Sequence, residues 1–130
     1  GELQVDAAIA GNNGVPPIFV SSDDICISQA KESFGDIPSV VTKTALAWNC
    51  CISKHPAAVC DEIYEEVAKS VKNIENRKVY TIPSPFEYEV RFKRIEYAES
   101  TKLISYDNKP FERIDPYTLR GYLANPEDIF

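Results

Sequence analysis

A glutamate at the start of an apolar segment is the first residue of this sequence that could support chemistry. Glu2 precedes a mainly apolar run that favours a helix from about residue 3 to residue 10 and that stops at Gly11. A carboxylate beside such a segment requires a partner, because an ionised group next to apolar surroundings is costly without one. The partner must come from elsewhere in the fold or from another polypeptide.

An acidic pair follows the next apolar run. Asp23 and Asp24 come after Ser21 and Ser22 and precede a second helical pattern. Two adjacent carboxylates could bind a metal ion. Serine and aspartate are also the preferred residues at the first position of a helix, where negative charge is stabilised. We favour helix capping over metal binding for this pair.

Lys43 is the third candidate, because it lies inside an apolar stretch typical of a strand. A lysine in a cleft can hold a substrate carboxylate or stabilise an oxyanion. A lysine at the end of a strand, with its ammonium group extended to solvent, explains the pattern equally well. Lys43 is therefore a possible substrate contact and no more.

The cysteines do not form a recognisable metal motif. Cys50 and Cys51 are adjacent, and Cys60 follows on a predicted helix, without the paired C-x2-C spacing of structural zinc sites. Buried, reduced thiols of a cytosolic protein are the favoured interpretation for all four cysteines, over disulfide or metal chemistry. His55, the sole histidine, directly precedes Pro56 and so belongs to a helix start.

The composition is that of an ordinary globular protein. The chain has 130 residues, of which 44% are hydrophobic and 26% charged, enough for one domain with a real core. The net charge of -6 argues against general nucleic-acid binding. No apolar run approaches the roughly 20 residues that span a bilayer, and no secretory signal is present. We expect a soluble cytoplasmic protein without nucleic-acid or membrane partners.

Helices and strands alternate in the first part of the chain. The patterns predict helices over 3–10 and 56–73, a helix that follows the cap candidates at 21–24 and stops at Gly35, and strands over 15–20 and 40–46. After residue 76 the pattern becomes β-rich, with strands over 86–93, 102–106 and 111–114 and a short helix opened by Asp115 and Pro116. The expected fold class is α/β. A short, largely parallel sheet with flanking helices precedes a mixed or antiparallel β segment and a short C-terminal helix. Residues 1–76 form the α/β core in this interpretation, and residues 77–130 pack on it as a β-rich segment.

A spaced pattern of residues runs along most of the chain. It consists of Gly1-Glu2-Leu3, Ala7-Ala8-Ile9-Ala10-Gly11, Val15-Pro16, Val20, Asp23-Asp24, Val41-Thr42-Lys43 and Pro56, and it returns weakly in Pro83, Pro85, Val90 and Phe92. This order resembles the DppA-type D-aminopeptidases, a family of zinc metallopeptidases. The resemblance covers most of this chain but only about the C-terminal half of a family member.

The resemblance implies a metal-dependent hydrolase. In that family a dinuclear zinc site is built from carboxylates and histidines, most of which lie in the N-terminal half. One further ligand is a glutamate that follows a glycine at the start of this helix, and Glu2 matches it. Glu2 is then the one metal ligand of this chain. With no catalytic residue of its own, the chain would be inactive without an N-terminal half supplied by another chain or a missing segment.

The resemblance also implies a small peptide or amide as substrate and a homo-oligomer as the assembly. Three positions depart from the family pattern. Ser22 replaces the glycine of Gly-Asp-Asp, Asn12 replaces a tyrosine after the first helix, and Trp48 replaces an arginine after the lysine strand. For Trp48 we favour a core or interface anchor, although a changed specificity or assembly is the alternative.

Three hypotheses remain open at this point. The chain is the C-terminal portion of a zinc-dependent aminopeptidase, supplying one metal ligand and part of the substrate and oligomer surface. Alternatively, it is a non-catalytic interaction or scaffold module derived from that family. The third hypothesis is a related amidohydrolase whose substrate is not a peptide.

Overall fold

The computed structural model describes residues 1–129, and the chain divides into two compact units. The first unit is Gly1–Thr81, and the second begins at Ile82. The change in sequence character after residue 76 lies a few residues before this boundary. Among residues 1–129, no helix has the length and apolar character needed to cross a membrane.

The first unit alternates helices and strands, which confirms the α/β class. Its elements are α1 (Glu2–Asn12), β1 (Val20–Asp23), α2 (Asp24–Phe34), β2 (Ser39–Ala47), β3 (Cys50–Ser53), α3 (Pro56–Lys72) and a 3-10 turn (Ile74–Asn76). The sheet order is β1-β2-β3. The β1–β2 pair is parallel and the β2–β3 pair is antiparallel, so the sheet is mixed.

The core of the first unit lies between α2 and the sheet. Val20 of β1 packs with Ile27 and Ala30 of α2, and Ile37 completes the buried cluster. Cys26 of α2 is only half-buried, and Ile27 takes the core position. Burial of these aliphatic side chains fixes α2 against the parallel strand pair.

Helix α1 continues past the glycine at which the sequence predicts its end. Gly11 is a buried helical residue, and the helix ends at Asn12. A Cβ atom at Gly11 would overlap the carbonyl oxygen of Tyr80, so the missing side chain allows the chain near Tyr80 to approach α1. The Tyr80 ring also packs edge-on against Phe34, with ring centroids 4.9 Å apart.

Two features of the first sheet differ from the sequence prediction. The strand predicted over 15–20 begins only at Val20, because Pro16 and Pro17 lack the backbone N–H that a paired strand requires. Strand β3 was not predicted. It returns from β2 through a short turn at residues 48–49 and forms an antiparallel hairpin with it.

The second unit is a small antiparallel sheet with one short helix. It contains β4 (Phe86–Arg91), α4 (Ile95–Ser100), β5 (Glu112–Asp115), β6 (Thr118–Leu123) and a 3-10 turn (Pro126–Ile129). The strand order is β4-β6-β5, with both pairs antiparallel. The alternating pattern of β4 is confirmed. Its apolar residues pack on the buried cluster of Phe111, Leu119 and Leu123.

The helix predicted to open at Asp115 and Pro116 is wrong. Asp115 ends β5, and Pro116 and Tyr117 form the turn to β6, in which the Tyr117 N–H donates to Asp115 Oδ1 at 2.7 Å. The residues that follow alternate as a central strand, and helical structure returns only in the turn at Pro126–Ile129. The strand predicted over 102–106 is also wrong, since only one bridge forms there, between Ile104 and Pro110.

Candidate functional site

Glu2 is the first residue of α1, where the helix dipole stabilises a negative charge. Its side chain lines an open cavity of about 330 Å³, together with Asp6 from the next turn and Ser22, Cys26 and Gln29 from β1 and α2. Glu2 is exposed. Within residues 1–129 its carboxylate has no hydrogen-bond or ion-pair partner. The partner that the sequence requires for Glu2 is therefore absent from the part of the chain that the structure describes.

A hydrogen bond joins α1, the helix that carries Glu2, to α2. Gln4 Nε2 donates a hydrogen bond to Ser33 Oγ at 3.1 Å. Gln4 Oε1 is buried and has no partner among residues 1–129. Since buried amide oxygens are normally satisfied, this side of α1 has unused hydrogen-bonding capacity next to the Glu2 cavity.

The residues of this cavity fit a zinc ion in donor type but not in number. Carboxylate oxygens are common zinc ligands, and Glu2 and Asp6 lie one helical turn apart on the same helix. Residues 1–129 contain no group of three or more histidine, cysteine, aspartate or glutamate side chains arranged to hold a metal ion. Because a zinc site needs at least three protein ligands, Glu2 could hold zinc only together with ligands from outside residues 1–129.

The acidic pair has structural roles, which confirms the capping interpretation for Asp23. The Cys26 N–H donates to Asp23 Oδ1 at 2.8 Å, so this carboxylate caps α2. Asp24 Oδ1 instead accepts the backbone N–H of Ala45 at 2.8 Å and ties the start of α2 to β2. The two carboxylates therefore hold the helix and the strand together at this edge of the sheet.

Lys43 lies in the middle of β2, opposite Asp23 of the parallel strand and opposite Ser53 of the antiparallel one. Its side chain is exposed and lines a second open cavity, of about 270 Å³. The remaining walls come from Asp23 and from the β2–β3 hairpin, including Trp48. Lys43 is thus not at a strand end, but its exposed side chain agrees with extension to solvent, and a substrate contact stays a prediction.

The hairpin tip is exposed. Trp48 is 92% exposed, so a role in the core of this unit is wrong, and the interface alternative stays a prediction. The four cysteines form no disulfide among residues 1–129, but the expected burial is wrong, since Cys26 is half-buried and the other three are exposed. His55 caps α3 by accepting the Ala57 N–H at its Nδ1 atom, at 3.3 Å. This confirms its place at a helix start.

The second unit contains a cavity of about 700 Å³, and none of the candidate chemical residues of the sequence lines it. Apolar side chains such as Tyr88, Phe92 and Leu103 line it. These residues also pack on the core of the unit, so the cavity is the open side of that core. Its size alone does not relate it to the chemistry of Glu2.

Asp115 is the centre of a polar network in the second unit. Besides the Tyr117 N–H, its carboxylate accepts hydrogen bonds from Thr118 Oγ1 at 3.0 Å and Arg91 Nη1 at 2.8 Å. The Tyr117 N–H, followed by Thr118 and Arg91, lowers the pKa of Asp115 below its ordinary value of 3.8. This network fixes the β5–β6 turn.

Sequence reasoning missed Asp6, Cys26 and Gln29 as neighbours of Glu2. They come from two helices, and only the packing of α1 on α2 brings them to one cavity. The spacing of Glu2 and Asp6, one helical turn apart, was the one available signal.

Comparisons with known proteins agree with this architecture. A family model described as D-aminopeptidase matches residues 1–130. Among solved structures, the chain is similar to the Zn-dependent D-aminopeptidase DppA from Bacillus subtilis, described as a self-compartmentalizing protease, with a TM-score of 0.81 and 20% sequence identity. No curated protein matches the sequence.

The similarity to DppA covers 98% of this chain and 46% of that protein's chain. This chain therefore spans about half of the length of the solved structure it matches. At 20% identity the comparison with that structure shows a shared fold.

Proposed function

This chain belongs to the D-aminopeptidase family, and on that premise we propose that it is the C-terminal portion of a zinc-dependent aminopeptidase that hydrolyses small peptides or amides. The observation that carries the proposal is the carboxylate of Glu2. It lies at a helix N-terminus, faces a cavity and has no partner within residues 1–129. A carboxylate kept exposed and unpaired in this way is suited to binding a cation.

Glu2 is the metal ligand that this portion contributes. Bound zinc would supply an activated water and polarise the scissile carbonyl. The residues of this chain position that ligand: the Gln4–Ser33 hydrogen bond and the buried face of α1 fix the helix from which Glu2 extends. Gly11 adds a second attachment at the other end of the helix.

The remaining ligands would come from an N-terminal half, either another chain or a preceding segment. Two findings support this: residues 1–129 hold no metal-binding group of their own, and the chain spans 46% of DppA. A dinuclear site is the form that the family resemblance implies. Without the N-terminal half, this chain would not turn over substrate.

We further propose that the assembled protein is a homo-oligomer. DppA is described as self-compartmentalizing, and the hairpin of this chain exposes Leu46, Trp48 and Ile52 by 57%, 92% and 64%. Exposed apolar groups of this size favour association. A cytoplasmic location fits the four unpaired cysteines, because exposed thiols persist in reducing compartments.

Metal analysis of the longest natural polypeptide that contains this chain tests the proposal. Zinc per protomer is measured by mass spectrometry for the native protein, for Glu2→Gln and for Asp6→Asn. Asp6 is the matched control, since it lines the same cavity one turn along α1 but corresponds to no ligand in the resemblance. We expect Glu2→Gln to bind zinc at least tenfold more weakly and Asp6→Asn to retain it.

Hydrolysis of a short D-peptide and of a non-peptide amide is followed in the same preparations. Activity on the amide alone would favour the related amidohydrolase. A folded native protein that binds no zinc and cleaves neither compound would refute the enzymatic proposal and leave the scaffold role.

A further inference from the structure

Arg77 contains a buried hydrogen-bond donor that no described group of the chain satisfies. Its Nη1 atom donates to the carbonyl oxygen of Asp36 at 2.8 Å, which ties the segment after the 3-10 turn to the loop between α2 and β2. Its Nε atom is buried and has no partner among residues 1–129. Buried polar groups are normally paired, and a guanidinium is always charged, so this donor requires an explanation. A ligand that accepts a hydrogen bond from Arg77 would provide it.

Arg77 lines an open cavity of about 290 Å³ in the first unit, which we call the Arg77 cavity. Three of its lining residues are apolar: Pro17, Phe34 and Ile37. The other four are Asp36, Asn76, Arg77 and Lys78. Small-molecule sites combine an apolar lining with a few polar groups in this way and begin at about 300 Å³. The Arg77 cavity therefore has the size and lining of a site for a small ligand.

The charged side chains of the Arg77 cavity are not engaged with one another. Among residues 1–129, Asp36, Arg77 and Lys78 take part in no ion pair. Two cations and one carboxylate give the cavity a net charge of +1, whereas the whole chain carries -6. A second cavity that shares Asp36 and Arg77 adds Glu66 and Lys69, but these two pair with each other at 3.3 Å. The unpaired groups are thus suited to a ligand that carries both signs of charge.

From this arrangement we propose that the Arg77 cavity binds a free α-amino acid with an apolar side chain, in its zwitterionic form. The guanidinium of Arg77 is suited to the carboxylate of the ligand, since its planar group of donors matches carboxylate geometry. The carboxylate of Asp36 is suited to the ammonium group. Phe34 and Pro17 supply apolar surface for the side chain.

The spacing of the charges favours an α-amino acid over a longer zwitterion. Arg77 donates to the backbone of Asp36 itself, so the two opposite charges of the cavity lie close together, as the two charges of an α-amino acid do. The inference goes beyond the proposed function, because the Arg77 cavity and the Glu2 cavity share no lining residue.

Four ligands test which features the cavity recognises. Dissociation constants of leucine, 4-methylpentanoate, isopentylamine and glycine are measured by ligand-observed NMR with the longest natural polypeptide that contains this chain. The last three lack the ammonium group, the carboxylate and the apolar side chain of leucine, respectively. We expect the tighter of the two leucine enantiomers to bind about 10- to 100-fold more tightly than each of them, since each lacks a charge-assisted contact or a buried side chain.

Two variants test the residues. Arg77→Gln should weaken the binding of both leucine and 4-methylpentanoate by at least about tenfold, because both ligands carry the carboxylate. Asp36→Asn should weaken leucine to a similar extent but leave 4-methylpentanoate unchanged or tighter, because the lost carboxylate only repels that ligand. Lys72→Met is the control, since Lys72 is exposed in the last turn of α3 and lines neither cavity of Arg77. It should bind all four ligands as the native protein does.

The proposal is overturned if the native protein binds leucine no more tightly than the ligands that lack one of its features, or if Arg77→Gln binds leucine as the native protein does. Thermal unfolding shows whether Arg77→Gln is folded, because Arg77 also ties two segments together. If it is unfolded, Asp36→Asn decides. This variant keeps the backbone carbonyl that Arg77 binds, and an equal change for leucine and 4-methylpentanoate would then refute the site.

Glu2→Gln separates this inference from the proposed function, since an aminopeptidase also releases amino acids at its metal site. Leucine binding that persists in Glu2→Gln and is lost in Arg77→Gln supports the Arg77 cavity, whether or not the protein hydrolyses peptides. Binding lost in Glu2→Gln and kept in Arg77→Gln places leucine in the Glu2 cavity, which overturns this inference and leaves the enzymatic proposal standing.

Discussion

Replacement of Gly11 by alanine should destabilise the first unit, although alanine is the better helix former. The added Cβ atom would overlap the carbonyl oxygen of Tyr80, and it would also come within 3.2 Å of the Val79 side chain. A backbone carbonyl cannot rotate away as a flexible side chain can. The segment near Tyr80 must therefore move as a whole, or α1 must shift.

The expected change in the free energy of unfolding is the difference between two opposing contributions. Overpacking of a tight contact costs about 1–3 kcal/mol. Replacing a glycine within a helix by alanine stabilises the helix by about 0.5–1 kcal/mol. We expect a net loss of about 1–2 kcal/mol, and each kcal/mol lowers the melting temperature of a domain this small by about 4–8 °C.

Thermal unfolding followed by circular dichroism measures the effect. Glu32→Ala is the matched control, because it introduces alanine at an exposed position of α2 where no contact forms. That control should change stability by less than about 0.5 kcal/mol. The direction of the change in melting temperature is the test. If Gly11→Ala raises the melting temperature or leaves it unchanged, residue 80 does not pack against α1 as the structure shows.

Two further predictions concern carboxylates with defined partners. Asp23→Ala removes the cap of α2 and should lower the free energy of unfolding, measured by urea denaturation, by about 1 kcal/mol. Asp23→Asn can still cap the helix and should lower it much less. Equal losses in the two variants would contradict the capping role. Because its partners lower the pKa of Asp115, ionised Asp115 stabilises the second unit above its ordinary pKa of 3.8, and this stabilisation is lost as the pH falls through the lowered value. The difference in melting temperature between the native protein and Asp115→Asn should thus be constant from pH 5 to 7 and narrow below about pH 4, whereas a difference independent of pH would refute this assignment.

Local signals in the sequence predicted elements whose ends are set by their own residues. Helix α2 lies between its cap at Asp23 and Gly35, which has the positive φ angle of 73° that favours glycine. Strand β4 was predicted from strict alternation alone. In both cases the residues that determine the element lie within it or next to it in the sequence.

The sequence failed where a local signal has two meanings. Asp115 followed by Pro116 is typical of a helix start, but the same pair also forms tight turns. Pairing with β4 and β5, which lie at other positions of the chain, makes 118–123 a strand. Tertiary pairing of this kind overrides local preference.

The candidate site was predictable only in part. Glu2 was singled out by its position and by the family resemblance, and its role as a ligand stays a prediction. The cavities that contain Glu2 and Lys43 could not be foreseen, because their walls combine residues from different helices and strands. Spacing along one element does not contain that information.

The exposed tip of the β2–β3 hairpin gives the protein an intrinsic optical reporter. Trp48 is the sole tryptophan of the chain and is almost fully in contact with solvent. The tryptophan emission of the protein therefore comes from one indole and should lie at long wavelength. Any molecule that covers the tip replaces water around the indole and shifts the emission to shorter wavelength. Binding of a molecule that covers the hairpin tip can therefore be followed in solution without a label.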